Sequence, residues 1–483
     1  MSRIWLGTGG NVTRAREPAR GIRGMKVSSP ELREWRTRKA SGPYRARGDV
    51  SANSPGDWER IESKARTWLA APYAVWNEAF TGPWHPDVHG TPEMEAPNND
   101  TMYFMDACLY AFIMKDRDAR DTCWAWLISQ SQQPYVDFTN TTLYDSDALL
   151  TGGNIDAWFS IQRWLAQLVF AYDYLVAFDA GTQAERDAIV AWLLAGAKWR
   201  AEPYDTRIGT SLWGTPGGDR ATLTPRTDDG SGQWPYFDSA QKTHSEGHTN
   251  STYQMSYNNR GLDIMLPVIL VGLLADDDAA VALGVRYFQE YVQCAVYPDE
   301  DFGEMHRATT ANEEVGYVYV YGSMHTYFNA ADALWRVRGD TTLYEFTTRL
   351  GVHGTECGVG DADKSALVMA LAIGKYGNDT FERYGNGSTT GDADRRIDSR
   401  SPRDGSSWRG HHDIWLAHAN RYYQNTAIEN AYLRNTAAGY PAFWSAPSDS
   451  GSWEGLANQT CPGVLFMYGQ MEDVVPPGPM PQE

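Results

Sequence analysis

The chain has 483 residues, 42% of them apolar, and its formal net charge is −19. That length and apolar share are enough for one large domain with a sizeable core. The acidic balance disfavours a general polyanion-binding surface, and no apolar run approaches the roughly 20 residues that cross a bilayer.

The charge is unevenly distributed along the chain. Residues 1–50 carry twelve Arg and Lys against four Asp and Glu, and they contain no recognisable nucleic-acid-binding motif. We therefore predict a basic, flexible N-terminal arm at 1–50, a single domain at 51–475 and a Pro-rich tail at 476–483. We expect neither a nucleic-acid nor a membrane partner.

The first half of the predicted domain is helical by its apolar spacing. Helices are predicted at 58–69, 102–114 and 120–128, and a helical hairpin follows over 154–200. The hairpin turns at Gly181, and Thr182 with Glu185 forms a capping box at the start of its second helix.

Further helical segments follow a long polar stretch at 203–250. They are predicted at about 252–274, 277–296, 313–337, 341–350, 363–376 and 412–426, with a second polar loop at 377–410. Residues 318–321 alternate like a strand, but their place in a longer helix-spaced segment favours helix. Helix pairs in series predict an all-α fold, an (α/α) toroid in which antiparallel hairpins surround a cleft and long rim loops build the site.

Polar residues gather where the chain enters the predicted helix near 259. Tyr257, Asn258, Asn259 and Arg260 stand directly before an apolar run. They are candidates for a site at the rim of a buried helix. The alternative is a helix-start network, because Asn caps helices well and Arg can pair with a carboxylate.

Two more groups could carry chemistry. Glu304, His306 and Arg307 precede a helix containing Tyr317, Tyr319 and Tyr321, although an aromatic packing stripe with a Glu304–Arg307 ion pair remains an alternative. Histidines at loop positions form the other group: His244, His248 and His412. They lack the spacing of a metal motif, so we expect cleft-lining histidines, with no metal and no cofactor.

Together these residue types suit β-elimination of a 4-linked uronate. That reaction removes the C5 proton beside a carboxylate, whose growing charge Asn259, Arg260 or Arg307 could stabilise by hydrogen bonding. A Tyr or His would take the C5 proton, and an acid would protonate the departing O4.

These segments resemble alginate and related polyuronate lyases with (α/α) toroid folds, polysaccharide lyase families 5 and 38. Residues 257–260 are similar to the Asn-Asn-His stretch of these enzymes, residues 301–307 to their "DG…E…R…Y" segment, and residues 170–173 to their "AYD" helix. The resemblance implies a lyase without metal, with Asn259 as carboxylate neutraliser, Arg307 as charge stabiliser and Tyr317 as proton-transfer residue. Asn258, Arg260, Glu304, His306, His248, Tyr321 and His412 would bind the substrate.

Arg260 stands where the mannuronate-cleaving enzymes have a histidine, so His244 or His248 could replace it from the loop. The substrate implied is an anionic polysaccharide, with alginate favoured and glucuronan second. Two further functions compete with a lyase: a toroid glycoside hydrolase with paired carboxylates (from Asp100, Asp173, Asp263 and Glu304), and a non-catalytic sugar-binding protein. A polymer-degrading enzyme implies a secreted or periplasmic location, although no signal-peptide pattern follows Met1.

Overall fold

The structure is a computed structural model that describes residues 57–72, 92–133, 155–211, 237–238, 243–244, 257–296, 315–349, 364–376 and 414–428. At 315–322 it describes the backbone alone. The predicted N-terminal arm, the predicted loop at 377–410 and the Pro-rich tail lie outside these residues.

Most of the described residues are helical, which confirms the all-α prediction. In chain order the elements are α1 (Asp57–Ala70), α2 (Pro92–Met114), α3 (Arg117–Ser131), α4 (Ile155–Ala177), α5 (Gln183–Ser211), β1 (Phe237–Asp238), β2 (Thr243–His244), α6 (Asn259–Ala275), α7 (Asp278–Ala295), α8 (Val315–Arg338), α9 (Thr342–Glu345), β3 (Thr347–Thr348), β4 (Lys364–Ser365), α10 (Ala366–Tyr376) and α11 (Ile414–Tyr423).

The predicted hairpin is α4 and α5, and its turn is built as the sequence indicates. The Thr182 amide donates to Glu185 Oε2 at 2.7 Å, and the Glu185 amide donates to Thr182 Oγ1 at 3.3 Å, which confirms the capping box. Gly181 before it has φ +69°, and a Cβ there would overlap the Trp124 ring. Glycine therefore meets both a backbone and a packing requirement at this turn.

The helices form two layers. Helices α2, α4, α6, α8 and α11 contact one another in that order. Helices α3 and α7 pack against the helices that precede them in the chain, and α5 packs against both α4 and α6. Such an alternation of hairpins, with successive first helices side by side, is the arrangement of an (α/α) toroid. A continuous apolar core lies between the layers.

Helices α6 and α8 run in the same direction. Near the start of α6, the Thr326 hydroxyl from the middle of α8 donates to Asp263 Oδ1 at 2.6 Å, and at the ends of both helices Arg338 lies 3.6 Å from Asp276. The two contacts join residues 63 and 62 positions apart, so the helices keep one register along their length. The start of α6 therefore lies level with residues near 322.

Several predicted helix bounds differ from the structure. The helix expected at 102–114 begins at Pro92, and the second helix of the hairpin, expected to end at 200, runs to Ser211 and so includes the start of the stretch predicted as polar. The helix expected at about 252 begins at Asn259, because Asn258 is its N-cap. The helix expected over 341–350 stops at Glu345, and Thr347 and Thr348 pair with β4 instead. Adjacent β-branched residues favour this extended pairing over a further helical turn.

Most described aromatic side chains pack in the core. Tyr344 stacks on Tyr422 with ring centroids 4.1 Å apart, and Trp68 packs edge-on against Trp126 at 6.0 Å. Within the described part of the chain, no helix is both long enough and apolar enough to cross a membrane.

Candidate functional site at the start of α6

The structure describes the predicted site residues to different extents. Asn258, Asn259 and Arg260 are described with their side chains, and Tyr317, Tyr321 and His244 by their backbone. Five predicted residues lie outside the described parts of the chain: His248, Glu304, His306, Arg307 and His412. The position of these five relative to α6 stays a prediction.

Asn258 and Asn259, here called the amide pair, open α6. Asn258 is extended (φ −145°, ψ 180°), and its side-chain Oδ1 accepts from the Gly261 amide at 3.1 Å. Both side chains are buried, with 4% and 3% of their surface exposed. The prediction that this segment opens a buried helix is confirmed, and Asn258 does act as a cap.

A cap alone does not account for the amide pair, since Asn259 is already inside the helix and equally buried. The first amide N–H groups of a helix have no intrahelical acceptor, and the N-terminal end carries a partial positive charge. Half-buried Arg260 adds a full positive charge at the same place. This end of α6 is therefore suited to an anionic group.

Two tyrosines, Tyr204 of α5 and Tyr287 of α7, place their hydroxyl groups next to Gly261 in the first turn of α6. A Cβ on Gly261 would overlap the Tyr287 hydroxyl and would lie 2.9 Å from the Tyr204 hydroxyl. Burial raises the pKa of both phenols, that of Tyr287 well above its usual value. We conclude that both hydroxyls stay protonated and act in hydrogen bonding rather than as bases.

Tyr257, immediately before the amide pair, is tied to α7. Its hydroxyl donates to Glu290 Oε2 at 2.9 Å, and both residues are fully buried. Arg286 lies 3.8 Å from the other Glu290 oxygen and 2.7 Å from Asp205 of α5. The chain entering α6 is thus held by α5 and α7 together.

Two carboxylates near the start of α6 already accept hydrogen bonds from other parts of the chain. Asp263 accepts from Thr326, and Glu290 accepts from Tyr257. A glycoside hydrolase needs one carboxyl group that can donate a proton and another that can attack or activate water. These structural roles make Asp263 and Glu290 poor candidates for such a pair.

Helix α8 carries a buried polar stripe that the sequence patterns had not singled out. It consists of His325, Asn329, Asp332 and Arg336, all at most 6% exposed. Arg336 Nε donates to Asp332 Oδ2 at 2.7 Å, and His418 of α11 lies 3.6 Å from the same oxygen. Spacings of four, three and four residues are the signal that would have revealed one polar face in a helix otherwise rich in apolar residues.

Asn329 contacts His325 one helical turn earlier on the same polar stripe. Its Nδ2 lies 3.0 Å from the His325 carbonyl oxygen and 3.0 Å from the His325 ring Nε2. Only the NH₂ end of the amide can donate to a carbonyl, so the same nitrogen donates its other hydrogen to Nε2. The side-chain amide of Asn329 therefore contacts both the backbone and the ring of His325.

The tyrosines of the predicted site belong to the first two turns of α8, and the predicted helix over residues 318–321 is confirmed. Tyr321 precedes His325 by four residues and so lies on the same helix face. By the register with α6, Tyr321 is level with the amide pair. Tyr317 lies about 6 Å farther along the helix axis, toward its start.

His244 lies in a two-residue strand whose partner in the antiparallel pairing is Phe237. That His244 joins the residues of α6 and α8 in one site stays a prediction. Among the described residues, no group of three His, Cys, Asp or Glu side chains is placed to hold a metal ion.

Comparisons with known proteins give a structural likeness. No protein-family model and no curated protein matches the chain. A solved structure of an alginate lyase A1-III complexed with a tetrasaccharide matches with a TM-score of 0.48 and 12% identity, over 89% of this chain and 98% of that one. An identity and a TM-score this low transfer no activity, substrate or residue role to this chain.

Proposed function

We propose that this protein is a polysaccharide lyase that cleaves a 1,4-linked polyuronic acid by β-elimination, with alginate, as polymannuronate, the favoured substrate. The observation that supports this most is the buried amide pair at the N-terminal end of α6, beside Arg260. Two neutral amides, a cation and a helix N-terminus together are suited to hold a uronate carboxylate.

The reaction requires that the negative charge of the uronate carboxylate be neutralised. Loss of the C5 proton places a second negative charge on the uronate, and donors already in place stabilise it without reorganisation. The electron pair then forms the C4–C5 double bond as the C4–O4 bond breaks, and the departing O4 takes a proton. In this proposal Asn259 and Arg307 hold the carboxylate, with Asn258 and Arg260 beside them.

A tyrosine of α8 is the proposed proton-transfer residue. The resemblance implies Tyr317, but the register of α8 against α6 favours Tyr321, which is level with the amide pair. Nearby cations would lower the pKa of its phenol from about 10, as a base requires. In contrast, Tyr204 and Tyr287 are buried, and their pKa is raised.

The remaining predicted residues keep supporting roles. His244 is proposed to assist proton transfer, while Glu304, His306, His248 and His412 are proposed to bind the sugar chain. Arg260 in place of a histidine leaves glucuronan as the alternative polymer. An enzyme for either polymer would meet its substrate outside the cytoplasm, so we propose a secreted or periplasmic location.

Ultraviolet absorbance tests this proposal directly. Purified protein is mixed in EDTA with polymannuronate, polyguluronate or glucuronan, and the conjugated product of elimination is followed. We expect absorbance to rise with one polymer, most with polymannuronate, and to stay flat with Asn259→Ala. A folded protein that produces no rise with any of the three polymers would contradict the proposal, and reducing ends appearing without absorbance would indicate a hydrolase.

A further inference from the structure

Tyr287 of α7 closely approaches the first turn of α6. Its hydroxyl occupies the space that a side chain at residue 261 would need. A Cβ there would overlap the hydroxyl oxygen, so only glycine is compatible with this hydroxyl position. The hydroxyl therefore lies against the backbone that follows the amide pair.

Hydrogen bonds link this hydroxyl to Asn258. The Asn258 backbone amide donates to the Tyr287 oxygen, and the Tyr287 hydroxyl in turn bonds to Tyr204. Arg207 contributes a further hydrogen bond to Tyr204. A chain of three side chains from α5 and α7 thus ends on the backbone of the amide pair.

The Tyr287 ring has little freedom to move. It is fully buried, with the rings of Tyr257, Tyr204 and Phe288 at centroid distances of 5.4, 5.9 and 6.4 Å. The Arg286–Asp205 ion pair at 2.7 Å joins α7 to α5 beside it. A ring that cannot move holds its hydroxyl oxygen in one position. The Asn258 backbone amide that donates to this oxygen is thereby held in one position as well.

We propose that Tyr287 is a positioning residue that holds Asn258 and Asn259 in the orientation that the uronate carboxylate requires. This inference rests on the proposed lyase function. Tyr287 does not touch the substrate, and it acts through the backbone of Asn258. Small misplacement of stabilising donors costs more in the transition state than in the bound substrate, because the charge to be stabilised is larger there.

The test compares Tyr287→Phe with Tyr327→Phe. Tyr327 is a matched control, since it is also fully buried and its hydroxyl also bonds to the backbone, donating to the Leu343 carbonyl of α9 at 2.8 Å rather than to α6. We expect Tyr287→Phe to lower kcat about tenfold with KM changed less than about twofold. Tyr327→Phe should leave both constants near those of the wild type.

Hydrogen exchange supplies a readout that does not need activity. In Tyr287→Phe, the amides of residues 258–262 should exchange faster than in the wild type, and in Tyr327→Phe they should not. Unchanged exchange at 258–262 would overturn the inference, as would an unchanged kcat in an active enzyme. If the wild type cleaves no polyuronate, the lyase proposal fails, while the exchange result still decides whether Tyr287 holds Asn258.

A further pair of variants tests the contact between residues 261 and 287 even if Tyr287→Phe folds poorly. Gly261→Ala alone should be strongly destabilised, because the new Cβ and the Tyr287 hydroxyl cannot share the space. The double variant Gly261→Ala/Tyr287→Phe should recover part of the lost thermal stability, which shows that the two groups meet. Purely additive losses would mean that the hydroxyl does not lie where the inference requires.

Discussion

The Thr326 hydroxyl donates a 2.6 Å hydrogen bond to the buried Asp263 carboxylate, and this contact sets the register of α8 against α6. With Arg338 near Asp276 at the other end, it brings residues around 322 level with Asn259. The register ranks Tyr317 and Tyr321 by their level along the helix axis relative to the amide pair, which helical periodicity alone could not do.

Tyr321→Phe and Tyr317→Phe test that ranking. We expect Tyr321→Phe to lower kcat/KM by about a hundredfold or more, as loss of a general acid–base group does. Tyr317→Phe should cost less than about tenfold, since its position is about 6 Å farther along the axis. Both are measured by product absorbance at matched thermal stability, and the opposite order would mean that Tyr317 is the proton-transfer residue.

The activity should depend on the charge of the side chain at residue 259 as well as on its size. Asn259→Ala removes a donor to the uronate carboxylate, and we expect kcat/KM to fall by about a hundredfold. Asn259→Asp keeps the shape but adds a negative charge beside the substrate's own, so its loss should be larger still. Asn425→Ala is the control, because Asn425 accepts from the Ala427 amide at 2.8 Å after the end of α11. Equal losses for the Ala and Asp variants would contradict carboxylate binding here.

The Asp332–Arg336 pair predicts a large effect on stability. Both side chains are almost fully buried, so Arg336→Leu leaves a buried carboxylate without its cation and should cost about 3–5 kcal/mol in unfolding free energy. The exposed Arg66–Glu62 pair has the same 2.7 Å contact, but Arg66→Ala should cost no more than about 1 kcal/mol. Urea denaturation measures both, and similar costs would show that burial does not govern the difference.

Asp277 predicts a pH dependence of stability. A hydrogen bond from Lys198, followed by the Ala280 amide at the start of α7, lowers the pKa of this carboxyl. A lowered folded pKa stabilises the protein above the unfolded value of about 3.9, and this contribution is lost as the pH falls through the folded pKa. The stability difference between wild type and Asp277→Ala should therefore be constant above about pH 5 and shrink in more acidic buffer. A difference that stays the same down to about pH 2 would contradict this cause.

The helices and their order were predictable because they follow from local signals. Apolar spacing located α4 to α8, and the Thr182–Glu185 capping box marked the start of α5. The end of the predicted helix at 341–350 was wrong, because pairing of Thr347 with Ser365 depends on a segment eighteen residues away in the sequence. Contacts of that kind have no local signature.

The site was predictable only in part, for a similar reason. Asn258 and Asn259 are conspicuous as adjacent amides before an apolar run, whereas Tyr287 looks like one more aromatic residue of an amphipathic helix. Its proximity to Gly261 exists only after α6 and α7 fold back on each other. Whether Arg307, His244 and the other loop residues join this site stays a prediction.

Gly261 and Tyr287 also constrain how this sequence can diverge. The hydroxyl and a Cβ at residue 261 exclude each other, so residue 261 cannot gain a side chain while the tyrosine is kept. Among relatives that keep the tyrosine, residue 261 should be invariably glycine. Where a side chain has appeared at 261, the partner on α7 should be smaller or lack the hydroxyl, so an alignment of such relatives should show the two positions covarying.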